Sequence, residues 1–168
     1  MSTAKAHRVL LIDDTPAIHQ DFRKLLSPAR RVPEGLDDDE AALFGTTAPP
    51  KRSNGHVYEL DCAMQGREGV DMVSRAARAK RPYALIFIDM RMPPGWDGVA
   101  TAEHIVAIAP GAELCICSAY SDYSWHEVIR RVGRAGLRHL RKPFDTRDVL
   151  VMAAELTERW DRTHGGGT

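Results

Sequence analysis

The chain has 168 residues, with 23 Lys plus Arg balanced by 23 Asp plus Glu. That length suits one domain with a proper core, and 43% apolar with 27% charged residues is ordinary for a soluble protein. A net charge of zero argues against a general nucleic-acid binder, no apolar run approaches the ~20 residues of a membrane span, and the short polar start shows no signal peptide.

Four short apolar runs mark strands. Val9-Leu10-Leu11-Ile12 stops at Asp13-Asp14, and Ala84-Leu85-Ile86-Phe87-Ile88 stops at Asp89. Leu114-Cys115-Ile116-Cys117 stops at Ser118, and a weaker run over 137–140 leads to Lys142-Pro143. Such runs lack polar alternation, as expected of strands buried on both faces. Val57-Tyr58-Glu59-Leu60 is less apolar and is assigned near a sheet edge.

Helical patterns lie between the runs. Residues 16–26 place Ile18, Phe22, Leu25 and Leu26 on one face, with Pro16 in the first turn, where its missing N–H is harmless. Further helices are expected over 67–80, 97–109 (ended by Pro110-Gly111), 124–134 and 146–160, the last capped by Asp145. The βα alternation implies a parallel sheet with right-handed crossovers and helices on both faces. The stretch 28–55 breaks this rhythm with its prolines, its glycines and Asp37-Asp38-Asp39-Glu40, and is read as a surface insertion. Residues 161–168 are expected to be a flexible tail or linker.

Cys62, Cys115 and Cys117 are odd in number and form no C-x-x-C, so they are read as small buried hydrophobes in a reducing cytoplasm. The histidines show no metal-ligand spacing, and no glycine-rich phosphate loop is present.

The informative feature is the placing of polar residues. Asp13, Asp14, Asp89, Ser118 and Lys142 each follow a strand, and in an open parallel sheet ligands bind beyond the carboxyl ends of strands. Three converging carboxylates repel one another, and a hard cation such as Mg²⁺ relieves this through oxygen ligands. Beside a lysine and a hydroxyl, such a centre points to phosphoryl chemistry, with a carboxylate itself able to accept the group.

The constellation resembles the receiver domain of bacterial two-component response regulators. It is carried by Ile12-Asp13-Asp14-Thr15-Pro16, Ile88-Asp89-Met90-Arg91-Met92-Pro93, Asp97-Gly98, Cys117-Ser118-Ala119 and Lys142-Pro143-Phe144, over residues 7–160 apart from the insertion. The resemblance implies a flavodoxin-like (βα)5 fold: a doubly wound, five-stranded parallel sheet in three α/β/α layers, with 28–55 inserted between the first helix and the second strand. It makes Asp89 the phosphoacceptor for a phosphohistidine on a sensor histidine kinase or phosphotransfer protein. It gives Mg²⁺, or Mn²⁺, to Asp14 and Asp89 directly, to Asp13 through water and to the Arg91 main-chain carbonyl. Lys142 would pair with one phosphoryl oxygen and Ser118 would donate to another. The Lys142–Pro143 peptide would be cis.

The departures from the family pattern are as informative. The loop from Asp89 to Gly98 is one residue longer than usual, an excess assigned to a turn at Pro93-Pro94-Gly95, with Trp96 near the site rim as core cover or partner contact. His139 stands where receivers usually carry a switch Tyr or Phe, paired in function with Ser118. Arg91 and Tyr120 occupy the flanking positions that tune phosphoryl lifetime. Seven basic residues, Arg130, Arg131, Arg134, Arg138, Arg141, Lys142 and Arg147, fall on the usual output and dimer face, where a second copy or an acidic downstream partner would dock. No nucleic-acid motif accompanies them.

With no recognisable output module after Trp160, the chain is expected to be a stand-alone regulator or part of a longer kinase or cyclic-dinucleotide enzyme. Two other readings remain. One is a Mg²⁺-dependent phosphatase with Asp89 as nucleophile, although such enzymes usually carry a second acid where this chain has Arg91. The other is an interaction module that is never phosphorylated.

Overall fold

The computed structural model describes residues 6–26, 56–119, 124–134 and 136–164. The expected insertion at 28–55, the residue Tyr120 and the last residues of the expected tail lie outside the described residues. Five strands, β1 (Ala6–Ile12), β2 (Val57–Ala63), β3 (Leu85–Asp89), β4 (Glu113–Ser118) and β5 (Arg138–Arg141), form one sheet in the order β2-β1-β3-β4-β5. Every pairing is parallel, and β2 is an edge strand as expected. The helices are α1 (Pro16–Leu26), α2 (Gly66–Arg78), α3 (Gly98–Ile108), α4 (Trp125–Val132) and α5 (Thr146–His164). This is the flavodoxin-like doubly wound arrangement, with strand order 2-1-3-4-5.

The apolar runs are continuous because each strand feeds two cores. Leu10, Ile12, Ile86, Ile88, Leu114 and Ile116 face one side, where α2, α3 and α4 contribute Val73, Val99, Ala102, Ile105 and Val128. Val9, Leu11, Leu85, Phe87, Cys115 and Cys117 face the other, against Phe22 and Leu26 of α1 and Val149, Ala153 and Leu156 of α5. Successive strand residues point to opposite faces, so a run with no polar interruption must be covered on both.

The ends of the elements have local causes. Asp97 caps α3, accepting from Ala100 N–H at 2.8 Å, and Asp145 accepts from Asp148 N–H at 3.0 Å to open α5. Gly133 ends α4 in the left-handed region at φ 72°. The expected turn at Pro93-Pro94-Gly95 is present, closed by Gly95 N–H on the Met92 carbonyl at 3.1 Å.

Three expectations need correction. The helix of α5 runs to His164, past the expected end at Trp160, and Asp161 in this extension bonds His7 Nε2 at 2.9 Å. β1 likewise starts at Ala6, because His7 is buried beneath that helix. Cys62 is only half-buried, since β2 lies at the sheet edge, whereas Cys115 and Cys117 are buried; all three are free thiols. No helix among the described residues is long and apolar enough to cross a membrane.

Candidate functional site

The carboxyl ends of β1, β3, β4 and β5 bring the expected residues together. Asp13 and Asp14 follow β1, Asp89 ends β3, Ser118 ends β4 and Lys142 follows β5. Each carboxylate of Asp13, Asp14 and Asp89 offers an oxygen within 4.8 Å of the other two. Lys142 Nζ lies 3.2 Å from Asp13 and 3.1 Å from Asp89, and so bridges the two buried acids. The Lys142–Pro143 peptide is cis, as is Pro93–Pro94.

Backbone contacts fix this edge. Asp13 N–H donates to the Ala63 carbonyl at 3.0 Å, and the Asp13 carboxylate accepts from Thr15 N–H at 2.8 Å. Met90 N–H donates to the Cys117 carbonyl and Lys142 N–H to the Ser118 carbonyl, both at 2.9 Å. Gly98 lies where α3 meets the end of β3. A Cβ there would fall 2.6 Å from the Asp89 carbonyl oxygen and 2.9 Å from Met90 Cα, so only glycine permits this approach.

The electrostatics follow from crowding. Burial raises the Asp89 carboxyl above the usual range and the Asp13 charge adds to this, while Lys142 and the Arg91 backbone N–H pull the other way. Burial pulls the Lys142 ammonium down, but Asp13 and Asp89 together outweigh it and hold the group raised. Three oxygen donors carrying excess negative charge at a half-open strand edge suit a hard divalent cation.

Ser118 and His139 are in direct contact: Oγ lies 2.5 Å from Nε2. The imidazole stacks on Trp125, with ring centroids 4.8 Å apart. Burial, followed by the Arg141 charge, lowers the His139 pKa. Trp96 is half-buried, stacked on His104 at 4.0 Å, with the Arg67 guanidinium 5.0 Å from its ring centre. Arg91 is exposed, two residues beyond the end of β3.

The basic stretch is less free than its sequence suggests. Arg131 pairs with Glu103 at 3.3 Å and Arg138 with Glu155 at 2.9 Å. Arg134 donates to the Pro110 carbonyl at 2.9 Å, and Lys142 is held in the acidic cluster.

Sequence reading missed two residues at this edge. Trp125 opens α4 and lies against His139 of β5, on a separate element 14 residues away in sequence, so nothing local announces the contact. His19 is buried and its Nε2 reaches the Asp13 carbonyl at 2.6 Å. The signal for His19 was present, because 19, 22 and 26 share one helical face.

No family model matches the chain, and no curated protein sequence matches it. Solved structures do. A CheY-like response regulator receiver domain protein from Methanospirillum hungatei JF-1 superposes with a TM-score of 0.66 at 18% identity, covering 95% of this chain and 99% of that one. The signal receiver domain of an HD domain-containing protein from Pseudomonas fluorescens Pf-5 gives 0.65 at 19% identity, over 94% and 99%. A response regulator receiver protein from Sinorhizobium medicae WSM419 gives 0.61 at 17% identity, over 93% and 98%. With its parallel 2-1-3-4-5 sheet and these neighbours, the chain has the fold of CheY-like response regulator receiver domains.

Proposed function

We propose that this chain is a phosphoacceptor switch of a two-component phosphorelay, with Asp89 as the acceptor. The observation that carries the reading is the meeting of three carboxylates and one ammonium at a single strand edge. An Asp89 carboxylate oxygen attacks phosphorus, the P–N bond to the partner's imidazole breaks, and the imidazole nitrogen leaves with the bonding pair and takes a proton. Asp14 and Asp89 would hold Mg²⁺ directly, Asp13 through water, and the Arg91 main-chain carbonyl would complete the protein ligands. The cation, when bound, neutralises charge on the phosphoryl oxygens.

The remaining work falls to this chain's own groups. Lys142 sits 3.1 Å from Asp89 and would follow the negative charge onto a phosphoryl oxygen. Ser118 would exchange His139 for another phosphoryl oxygen, releasing the imidazole from its 2.5 Å contact. Arg91 and Tyr120 would crowd the path of attacking water and lengthen the phosphoryl lifetime. The basic 130–147 face is assigned to a second copy or an acidic partner. The chain is read as one receiver domain carried through α5 to His164, with a tail or linker after it, and its free thiols favour the cytoplasm.

The test is intact-protein mass after incubation with acetyl phosphate, with and without Mg²⁺, beside Asp89→Asn. One phosphoryl adduct that requires Mg²⁺ and is absent from the variant is expected. Steady release of phosphate from small esters would replace this reading with the phosphatase. No adduct from acetyl phosphate or from a phosphorylated kinase domain would leave only an interaction module.

A further inference from the structure

Asp13 is held from three sides, but its neighbour is not. The carboxylate of Asp14 is only half-buried, and among the described residues its one hydrogen-bond donor is the Thr15 hydroxyl at 3.5 Å. Something other than its own side-chain contacts must aim Asp14 at the cluster.

His19 supplies the constraint through the backbone. Its Nε2 lies 2.6 Å from the Asp13 carbonyl oxygen, in a buried position on the first turns of α1. A carbonyl oxygen can only accept, so Nε2 carries the proton. The Asp13 C=O and the Asp14 N–H belong to one rigid planar unit. Holding that oxygen fixes the plane and with it the Asp14 Cα, so of the backbone rotations only that about the Asp14 N–Cα bond is left to turn the side chain. Asp13 N–H on the Ala63 carbonyl, at 3.0 Å, anchors the preceding peptide. The two bonds together leave the turn between β1 and α1 little freedom to rotate Asp14 away.

We propose that His19 is a positioning residue for Asp14, holding the Asp13–Asp14 peptide so that the acidic cluster is preformed for a divalent cation. This rests on the reading of Asp13, Asp14 and Asp89 as a cation site. It accounts for a buried imidazole that bonds the Asp13 backbone and, among the described residues, makes no hydrogen bond to a carboxylate of the cluster.

The experiment is a Mg²⁺ titration of the full chain by calorimetry, repeated with Mn²⁺ by electron paramagnetic resonance, for the native protein, His19→Leu and His19→Gln. The glutamine amide reaches as far as Nε2 and keeps the N–H, whereas leucine keeps the apolar bulk and loses it. His19→Leu should weaken binding about tenfold, as loss of outer-sphere support does at other metal sites. His19→Gln should bind close to the native value. Equal affinity in all three chains would overturn the proposal, as would a loss in His19→Leu that glutamine does not restore. Failure of the native chain to bind either ion would instead overturn the cation-site reading beneath it. Nitrogen NMR of the native chain without metal gives a check independent of variants. A proton on His19 Nε2 is expected, and its absence there would refute the hydrogen bond.

Discussion

Asp89→Asn should make the metal-free protein more stable while abolishing its proposed function. Asp13 and Asp89 are buried, and each of Asp13, Asp14 and Asp89 offers an oxygen within 4.8 Å of the others. At an effective dielectric near 20, a like-charge pair at 4.8 Å costs about 3.5 kcal/mol, and the Lys142 contact at 3.1 Å offsets about 5 kcal/mol. Asp89 faces two negative groups and one positive. The half-exposed Asp14 counts for less because solvent screens it. A net penalty of roughly 1 kcal/mol remains, and desolvation of the carboxylate adds to it. Asp89→Asn should therefore gain about 1–2 kcal/mol at pH 7 without Mg²⁺, read as a higher urea midpoint at unchanged slope. In a thermal melt each kcal/mol is worth about 2–4 °C at this size. The gain should depend on pH. Because the Asp89 pKa is raised in the folded state, the native chain takes up a proton where the unfolded chain does not. The penalty is full above the native pKa and disappears as pH falls toward the ordinary carboxylate range near 4. The native and variant curves should converge there. Saturating Mg²⁺ should reverse their order, since the native chain gains more from binding. A variant less stable than native at pH 7 without Mg²⁺, or a gain that ignores pH, would refute the reasoning.

Other expectations test neighbouring links. Gly98→Ala should cost about 1–3 kcal/mol and slow phosphorylation from acetyl phosphate, because its Cβ meets Asp89 and Met90 backbone rather than a yielding side chain; equilibrium unfolding and the mass assay read the two effects. In a Trp96→Phe, Trp160→Phe background, Trp125 emission should change on addition of acetyl phosphate and Mg²⁺, since His139 stacks on that ring and is itself bonded to Ser118. Ser118→Ala should remove the change. Asp161→Ala should cost about 1–3 kcal/mol, because the buried His7 already has Nδ1 unpaired among the described residues and would lose its Nε2 partner as well; urea unfolding checks this.

The sheet was legible because its chemistry is local. A strand such as Leu85–Asp89 is buried on every residue, and its last position is the one that must carry charge. Asp13, Asp14, Asp89, Ser118 and Lys142 could be placed on one edge once the strands were ordered, because parallel strands put all their carboxyl ends together. The failures are contacts between distant segments. His7 with Asp161 spans 154 residues, and no periodicity in either segment announces it. It lengthened both β1 and α5 beyond their apolar patterns. Cys62 sits in a strand whose outer side has no neighbouring strand, so apolar character did not guarantee burial. The Ser118–His139 bond needs β4 beside β5 in register, with Ser118 opposite Arg141. Only the resemblance singled out position 139, and it foretold neither the hydrogen bond nor Trp125.

That bond also sets a scale for the proposed switch. In the unphosphorylated chain Ser118 is satisfied by a histidine whose burial disfavours its charged form. Phosphorylation would offer the same hydroxyl an anionic acceptor. A neutral hydrogen bond nets about 0.5–1.5 kcal/mol and one to a charged group about 1.5–3 kcal/mol. The exchange therefore gains on the order of 1–2 kcal/mol, a five- to thirtyfold change in a two-state ratio. Full conversion from about 1:99 to 99:1 needs roughly 5.5 kcal/mol. Ser118 alone leaves the output surface only partly shifted. The rest must come from Lys142, whose contacts with Asp13 and Asp89 would be redistributed by the new charge, or from a partner that binds one surface state better. On the proposed function, the chain would respond in degree when isolated and decisively only beside a partner that binds one state better.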